Sequence, residues 1–256
     1  MTARTASRLV PAEESAPPPF GGARRTRHFS GVARSHPPTL ITSTRALLRD
    51  AALVPKGARV LVAVSGGPDS IALLDVLARL RAEGDFELVA HGVDHGLRAS
   101  AAAELDLAEA FARSRDVPFS RTRVDVAAGG NLQARARASR YDALRSAADA
   151  AGCTLVATAH HADDRAETFL LRLLRGTSPR GLAVLPPRAG DRIRPFLRAR
   201  RADIDAHVAR HALPFATDPS NRDPRFARTR VRLELLPLLE RLSPKIVENL
   251  CSLADE

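Results

Sequence analysis

A short apolar run, Val60-Leu61-Val62-Ala63-Val64, leads into Ser65-Gly66-Gly67-Pro68-Asp69-Ser70 and then into a stretch with helical spacing, Ile71 to Leu80. A strand, a glycine turn and a helix in that order point backbone N–H groups and the positive end of a helix dipole at an anion. Glycines at 66 and 67 let the backbone turn sharply and approach a phosphate closely. Ser65 and Ser70 add hydroxyl donors, and Pro68 suits a first helical turn because it has no N–H to lose. A kinase- or GTPase-type loop would need a lysine after its second glycine. The only lysines are Lys56 and Lys245, so this phosphate loop is of another kind.

The pattern around the loop alternates. Strands are expected at 59–64, 86–93, 118–124 and 154–159, and helices at 44–53, 69–81, 101–114, 132–150 and 163–174. Such alternation implies βαβ crossovers and a parallel, Rossmann-like α/β sheet, with ligands beyond the carboxyl ends of the strands. Three chemically distinct clusters fall on that edge: Ser65–Ser70, Asp94-His95-Gly96, and His160-His161-Ala162-Asp163-Asp164. Carboxylates in a first helical turn are favoured in any helix, so capping alone could account for Asp163 and Asp164. Beside a triphosphate they would act as a base or as Mg²⁺-positioning groups. A zinc site lacks further ligands at the required spacing. Arg137, Arg140 and Tyr141 lie on adjacent faces of the 132–150 helix. They read either as a solvated basic face or as an arginine aimed at an α-phosphate.

Charge and composition divide the chain. Its net charge of +10 is concentrated at residues 1–45, which carry seven Arg against Glu13 and Glu14, and at 188–241, which hold thirteen Arg against seven acids. The segment with the catalytic look is near neutral, and the basic region after it fits a nucleic-acid partner. Residues 1–40 read as a disordered, Pro- and Arg-rich basic tail, 41–187 as the nucleotide domain, and 188–256 as a small basic helical segment. No apolar run is long enough for a membrane span. Two distant cysteines, Cys153 and Cys251, fit a reducing cytoplasm rather than a metal or disulfide framework.

Ser-Gly-Gly-x-Asp-Ser after a strand resembles the pyrophosphate loop of the N-type ATP pyrophosphatases, or PP-loop enzymes, of the adenine nucleotide alpha hydrolase-like fold. A narrower resemblance rests on Asp94-His95-Gly96-Leu97-Arg98, Ala136-Arg137-x-x-Arg140-Tyr141, Ala159-His160-His161-x-Asp163-Asp164, Arg175-Gly176-Thr177 and Arg180-Gly181-Leu182. It continues through Arg194-Pro195-Phe196-Leu197, Asp218-Pro219-Ser220-Asn221 and Arg228-x-Arg230-x-Arg232. In this order, over about residues 56–250, these look like the tRNA(Ile)-lysidine synthetase family. The resemblance implies a ligase forming C–N bonds. ATP would adenylate the wobble cytidine of a tRNA(Ile) with a CAU anticodon, releasing pyrophosphate, and free L-lysine would then displace AMP to give lysidine.

On that reading Asp69, Arg137, His160, Asp163 and Asp164 are catalytic. Ser65, Gly66, Gly67, Pro68, Asp69, Ser70 and Asp94 bind ATP, with Mg²⁺ held through its phosphates and no side chain assigned to the metal. Arg194, Arg228, Arg230 and Arg232 contact tRNA. Arg165 stands where the family usually has Gln, and Thr229 where it often has Asn. Many members continue into further tRNA-gripping domains; here an apolar helix, Lys245–Leu253, is followed by Glu256. The oligomeric state is open, a homodimer being one option. The alternatives are a PP-loop enzyme that thiolates tRNA, which would want cysteines near the loop, and a non-catalytic tRNA-binding relative, which would want a broken loop.

Overall fold

A computed structural model describes residues 39–94, 96, 101–124, 132–217 and 225–256. The tail at 1–38 and the motif residues His95, Leu97, Arg98, Asn131 and Asp218–Asn221 lie outside the described residues.

Among the described residues six strands form one sheet, in the order β3-β2-β1-β4-β6-β5. They are β1 (Ala58–Ala63), β2 (Phe86–Asp94), β3 (Phe119–Arg123), β4 (Leu155–Ala157), β5 (Arg188–Ala189) and β6 (Arg192–Ile193). All neighbours pair in parallel except β5 with β6. The central strand β1 is apolar from Val60 to Ala63, where both of its faces are covered. Val60 and Val62 enter one core, while Leu61 between them enters another. The first core lies under α1 (Leu40–Asp50), α2 (Pro68–Gly84), α3 (Ala101–Ser114) and α6 (Arg201–Arg210). The second joins Leu61, Val89 and Val156 to Leu144 and Ala148 of α4 (Leu132–Ala150).

The sheet continues past the boundary expected at 187/188. Residue 188 opens a hairpin, not a helix. β6 pairs with β4, and Ile204 and Val208 of α6 belong to the same core as β1. The helical part of the C-terminal segment begins at α6. It resumes as α7 (Ala227–Arg230), a π-helical stretch Val231–Leu235, α8 (Leu236–Leu242) and α9 (Ile246–Leu253). These last helices pack on α5 (Ala162–Arg175) through a separate core of Ala166, Phe169, Leu170, Val231, Leu236, Val247 and Leu250. Arg165 fastens the same junction. It is 4% exposed, and its Nε and Nη2 donate to the carbonyls of Val184 and Ala254, each at 2.9 Å. None of the described helices is long and apolar enough to cross a membrane.

Candidate active site

The loop between β1 and α2 admits only glycine at its sharpest point. Gly66 has φ +82°, and a Cβ there would lie 2.5 Å from the backbone oxygen of Glu104 in α3. Gly67 caps α2 and Pro68 occupies its first turn. Ser70 Oγ donates to the Gly67 carbonyl at 2.9 Å and accepts the Ser65 N–H at 3.1 Å, which ties the loop to the helix start. Ala216 N–H, beyond α6, braces the loop by donating to the Gly66 carbonyl at 2.9 Å. The first N–H groups of α2 have no intrahelical acceptor, so this closed turn presents donors to an anion.

Asp69, in the first turn of α2, accepts from Arg201 Nη1 at 2.9 Å through Oδ2, while its Oδ1 is buried with no hydrogen-bond partner. Burial raises its pKa above the ordinary carboxylate value against the pull of Arg201 and His161. Facing it is the start of α5. His161 caps that helix, and Asp164 Oδ2 accepts the His161 N–H at 3.2 Å. Asp163 accepts from the Arg200 side chain (3.0 and 3.2 Å) and from the Arg201 N–H at 2.8 Å. Burial opposes the charged form of Asp163, but His161, Arg200 and the Arg201 amide hold its pKa far below the usual range. Arg228 Nη2 donates to Asp164 at 2.8 Å. One turn further on, Glu167 is fully enclosed. It accepts from Arg228 Nε at 2.8 Å and from Arg232 Nε and Nη2 at 2.6 and 3.0 Å. Asp69, Asp163, Asp164 and Glu167 are thus matched by Arg200, Arg201, Arg228 and Arg232.

The two adjacent histidines are driven apart. His160 shares a hydrogen bond with Thr158 Oγ1 at 3.0 Å. Burial pushes its pKa down to about 4; Asp164 opposes this, and Arg194, Arg137 and Arg140 add to it. His161 is also desolvated, but Asp163, Asp164 and Asp69 outweigh that and raise its pKa above 6.5. An NMR titration of the two imidazoles is expected to show His160 neutral throughout pH 5–8 and His161 gaining its proton above pH 6.5. A common midpoint for the pair would contradict this electrostatic picture.

A family model described as a PP-loop domain matches residues 39–239, which spans the loop, both helix starts and the arginines that meet them. The chain belongs to the PP-loop family. It is 42% identical over 217 residues to a protein named tRNA(Ile)-lysidine synthase from Thermobifida fusca, covering 83% of this chain and 65% of that one. It is 45% identical over 188 residues to the one from Novosphingobium aromaticivorans, covering 71% and 56%. To the one from Pseudomonas aeruginosa it is 42% identical over 198 residues, covering 75% and 44%. The chain therefore spans between 44% and 65% of the length of these relatives. Among solved structures, the tRNA thiolase NcsA from Methanococcus maripaludis superposes with a TM-score of 0.69 at 18% identity, covering 83% of this chain and 77% of that one. That likeness is one of fold.

In this PP-loop protein Ser65–Ser70, His160, Asp163 and Asp164 meet at the carboxyl ends of the strands. Asp94 ends β2 there, its Oδ1 accepting the Gly96 N–H at 2.8 Å. Arg137 lies on α4 against Tyr141, with Nη2 donating to the hydroxyl at 3.3 Å. The arginines assigned to RNA from sequence divide. Arg228 and Arg232 grip the carboxylates of α5, and Arg194 is 4% exposed with Nη1 donating to the Pro186 carbonyl at 2.6 Å. Only Arg230 of the four stands on an open face, paired with Glu234 at 3.1 Å. The sequence places Glu167 four residues from Asp163 on a neighbouring helical face but gives it no role, and it does not single out Arg200 or Arg201. The spacing of Glu167 from Asp163, one helical turn, was visible; the arginines that meet them are set by tertiary packing.

Proposed function

We propose that the chain forms lysidine: it adenylates the wobble cytidine of a CAU-anticodon tRNA(Ile) with ATP and joins free L-lysine to C2 of that base. The observation that carries the reading is the meeting, at one sheet edge, of the pyrophosphate-type loop with the acidic start of α5. Relatives 35–45% identical over most of this chain bear the lysidine synthase name. Ser65, Gly66, Gly67 and Ser70 would hold the leaving pyrophosphate of ATP. Asp94, at the end of β2, would sit beside the nucleotide.

Mg²⁺ fits Asp69, because Oδ1 is a buried carboxylate oxygen with no partner, and Mg²⁺ is typically held by one or two carboxylates plus phosphates. Among the described residues no group of three or more acids, His or Cys forms a metal cage. When bound, the ion would offset charge on the phosphates. Arg137 would do the same at the α-phosphate. The cytidine O2 would attack that phosphorus with loss of pyrophosphate; the lysine ammonium, after giving a proton to water, would attack C2 as the free amine, lose a second proton and displace AMP. Asp163 and Asp164, both held below the ordinary carboxylate range, suit binding of the lysine ammonium better than removal of its proton. His160, neutral at pH 7, keeps the adjoining space free of a further positive charge. Arg230 and the basic surface around it would meet the tRNA. A reaction on tRNA, free lysine and ATP would run in the cytoplasm.

A thiolating role finds no reactive thiol among the described residues. Burial raises the pKa of both Cys153 and Cys251, the latter to about 11. The test is incubation of the chain with ATP, labelled lysine and a CAU-anticodon tRNA(Ile) transcript. The expected result is label in the tRNA, one AMP formed per lysine joined. A folded chain that binds ATP and tRNA yet incorporates no label would refute the reading.

A further inference from the structure

Beside His160, four guanidinium groups gather, three of them around one aromatic ring. Arg192 of β6 lies 4.6 Å from the centroid of Tyr141, and Arg137 and Arg140 of α4 lie at 5.4 and 5.5 Å. The fourth, Arg194, is enclosed by the protein and electrostatically coupled to Tyr141, Arg192 and Arg137. The Nε atoms of Arg192 and Arg194 are both buried without a hydrogen-bond partner. Among the described residues no ion pair joins a carboxylate to Arg137, Arg140, Arg192 or Arg194. Asp191, next to Arg192 in sequence, is taken by Arg145 at 3.6 Å. The contrast with Arg200, Arg201, Arg228 and Arg232, each matched to an acid, is complete.

Burying a cation without a counter-charge is costly, and cation–π contact recovers only part of that cost. Burial and the neighbouring Arg192, Arg137 and Arg165 depress the pKa of Arg194, a sign of like charges crowded together. Such a cluster is completed by an anion. The loop after β1 already supplies donors for the ATP phosphates, whereas Arg192 lies in β6 and Arg194 directly after it, and β4 separates β6 from β1.

We propose that Arg140 and Arg192, set around Tyr141, together with the enclosed Arg194 nearby, form a subsite for a backbone phosphodiester of the RNA substrate. This rests on the lysidine-forming reading. The Tyr141 ring acts as a template that holds the guanidinium planes apart and oriented, so that little side-chain freedom is lost on binding. The phosphate received here lies beside the reacting base and fixes its register.

The experiment titrates the CAU-anticodon tRNA(Ile) transcript against the wild-type chain, Arg140→Gln and Arg192→Gln at several salt concentrations, with ATP binding measured by calorimetry alongside. Each variant is expected to bind the tRNA roughly tenfold more weakly and to lower the slope of log K against log salt by about 0.7–0.9, the mark of one lost phosphate contact. ATP affinity stays within about twofold. If Arg192→Gln folds poorly because its Nε is buried, Arg140→Gln on the helix surface decides alone. Variants with unaltered tRNA affinity and salt slope, in a chain whose wild type joins lysine to tRNA, overturn the subsite and leave the functional reading intact. Weakened ATP binding with unaltered tRNA binding overturns it in favour of a nucleotide site. A wild-type chain that binds no tRNA overturns both.

Discussion

Asp69→Ala is expected to slow AMP formation by a factor of about 10³ or more, about 4 kcal/mol of transition-state stabilisation, while tRNA affinity stays within a few fold. Asp69 sits in the first turn behind the loop, with one carboxylate oxygen held by Arg201 and the other buried and unpartnered. A carboxylate oxygen kept out of water without a partner is costly unless something in the working complex meets it. Mg²⁺ on the ATP phosphates is the group that fits. The fold tolerates the change because Arg201 keeps a second acid, Asp205, at 3.1 Å. Single-turnover release of pyrophosphate with enzyme in excess is the measurement, with a melting curve to show that the variant is folded. Turnover within tenfold of wild type would remove Asp69 from the chemistry.

Glu167→Gln should produce the larger loss of stability. Glu167 is 1% exposed and is the shared acceptor of Arg228 and Arg232, which hold the C-terminal helices against α5. Removing one charge from a buried cluster leaves its partners uncompensated, at a cost of about 3–5 kcal/mol for a fully enclosed pair. Here the arginine side chains are 37% and 38% exposed, so water recovers part of this, and a loss of roughly 2–3 kcal/mol is expected. That corresponds to a fall in Tm of roughly 4–12 °C for a chain of this size. Arg230→Ala supplies the control. Its pair with Glu234 is on the open surface, where such bridges contribute about 0–1 kcal/mol. If Glu167→Gln melts within about 2 °C of wild type, the carboxylate is not what joins the two cores.

The alternation of strands and helices up to α5 could be read from sequence because β1 and β2 contain apolar runs and the helices α2 to α5 are each 14 residues or longer. The hairpin β5–β6 could not. Arg188–Ala189 and Arg192–Ile193 are two residues each, carry arginine, and offer no apolar run, yet pairing with β4 places Ile193 in the core. Arginine was the second blind spot. Arg194, Arg228, Arg230 and Arg232 look alike in a sequence, and a basic run does not say whether each charge will meet an acid, a carbonyl or solvent. The structure separates them: Arg228 and Arg232 bind α5, Arg194 is enclosed, and Arg230 is open. The loop was legible for the opposite reason. Its glycine requirement is local, and the neighbour that enforces it, Glu104, only confirms what φ +82° already demands.

The matching of each acid at the α5 start with an arginine from later in the chain bears on how the protein is made. Glu167 and Arg232 are 65 residues apart, and Asp69 and Arg201 are 132 apart. On a ribosome adding about 5–20 residues per second, the acidic helix end emerges roughly 3–13 s before Arg232. Through that interval the loop is already synthesised, but Asp163, Asp164 and Glu167 repel one another without their partners. Until then Asp164 and Glu167 lack the arginines that neutralise them in the folded chain. A chain cut short before α7 carries the phosphate loop, with the acids of α5 left without Arg228 and Arg232.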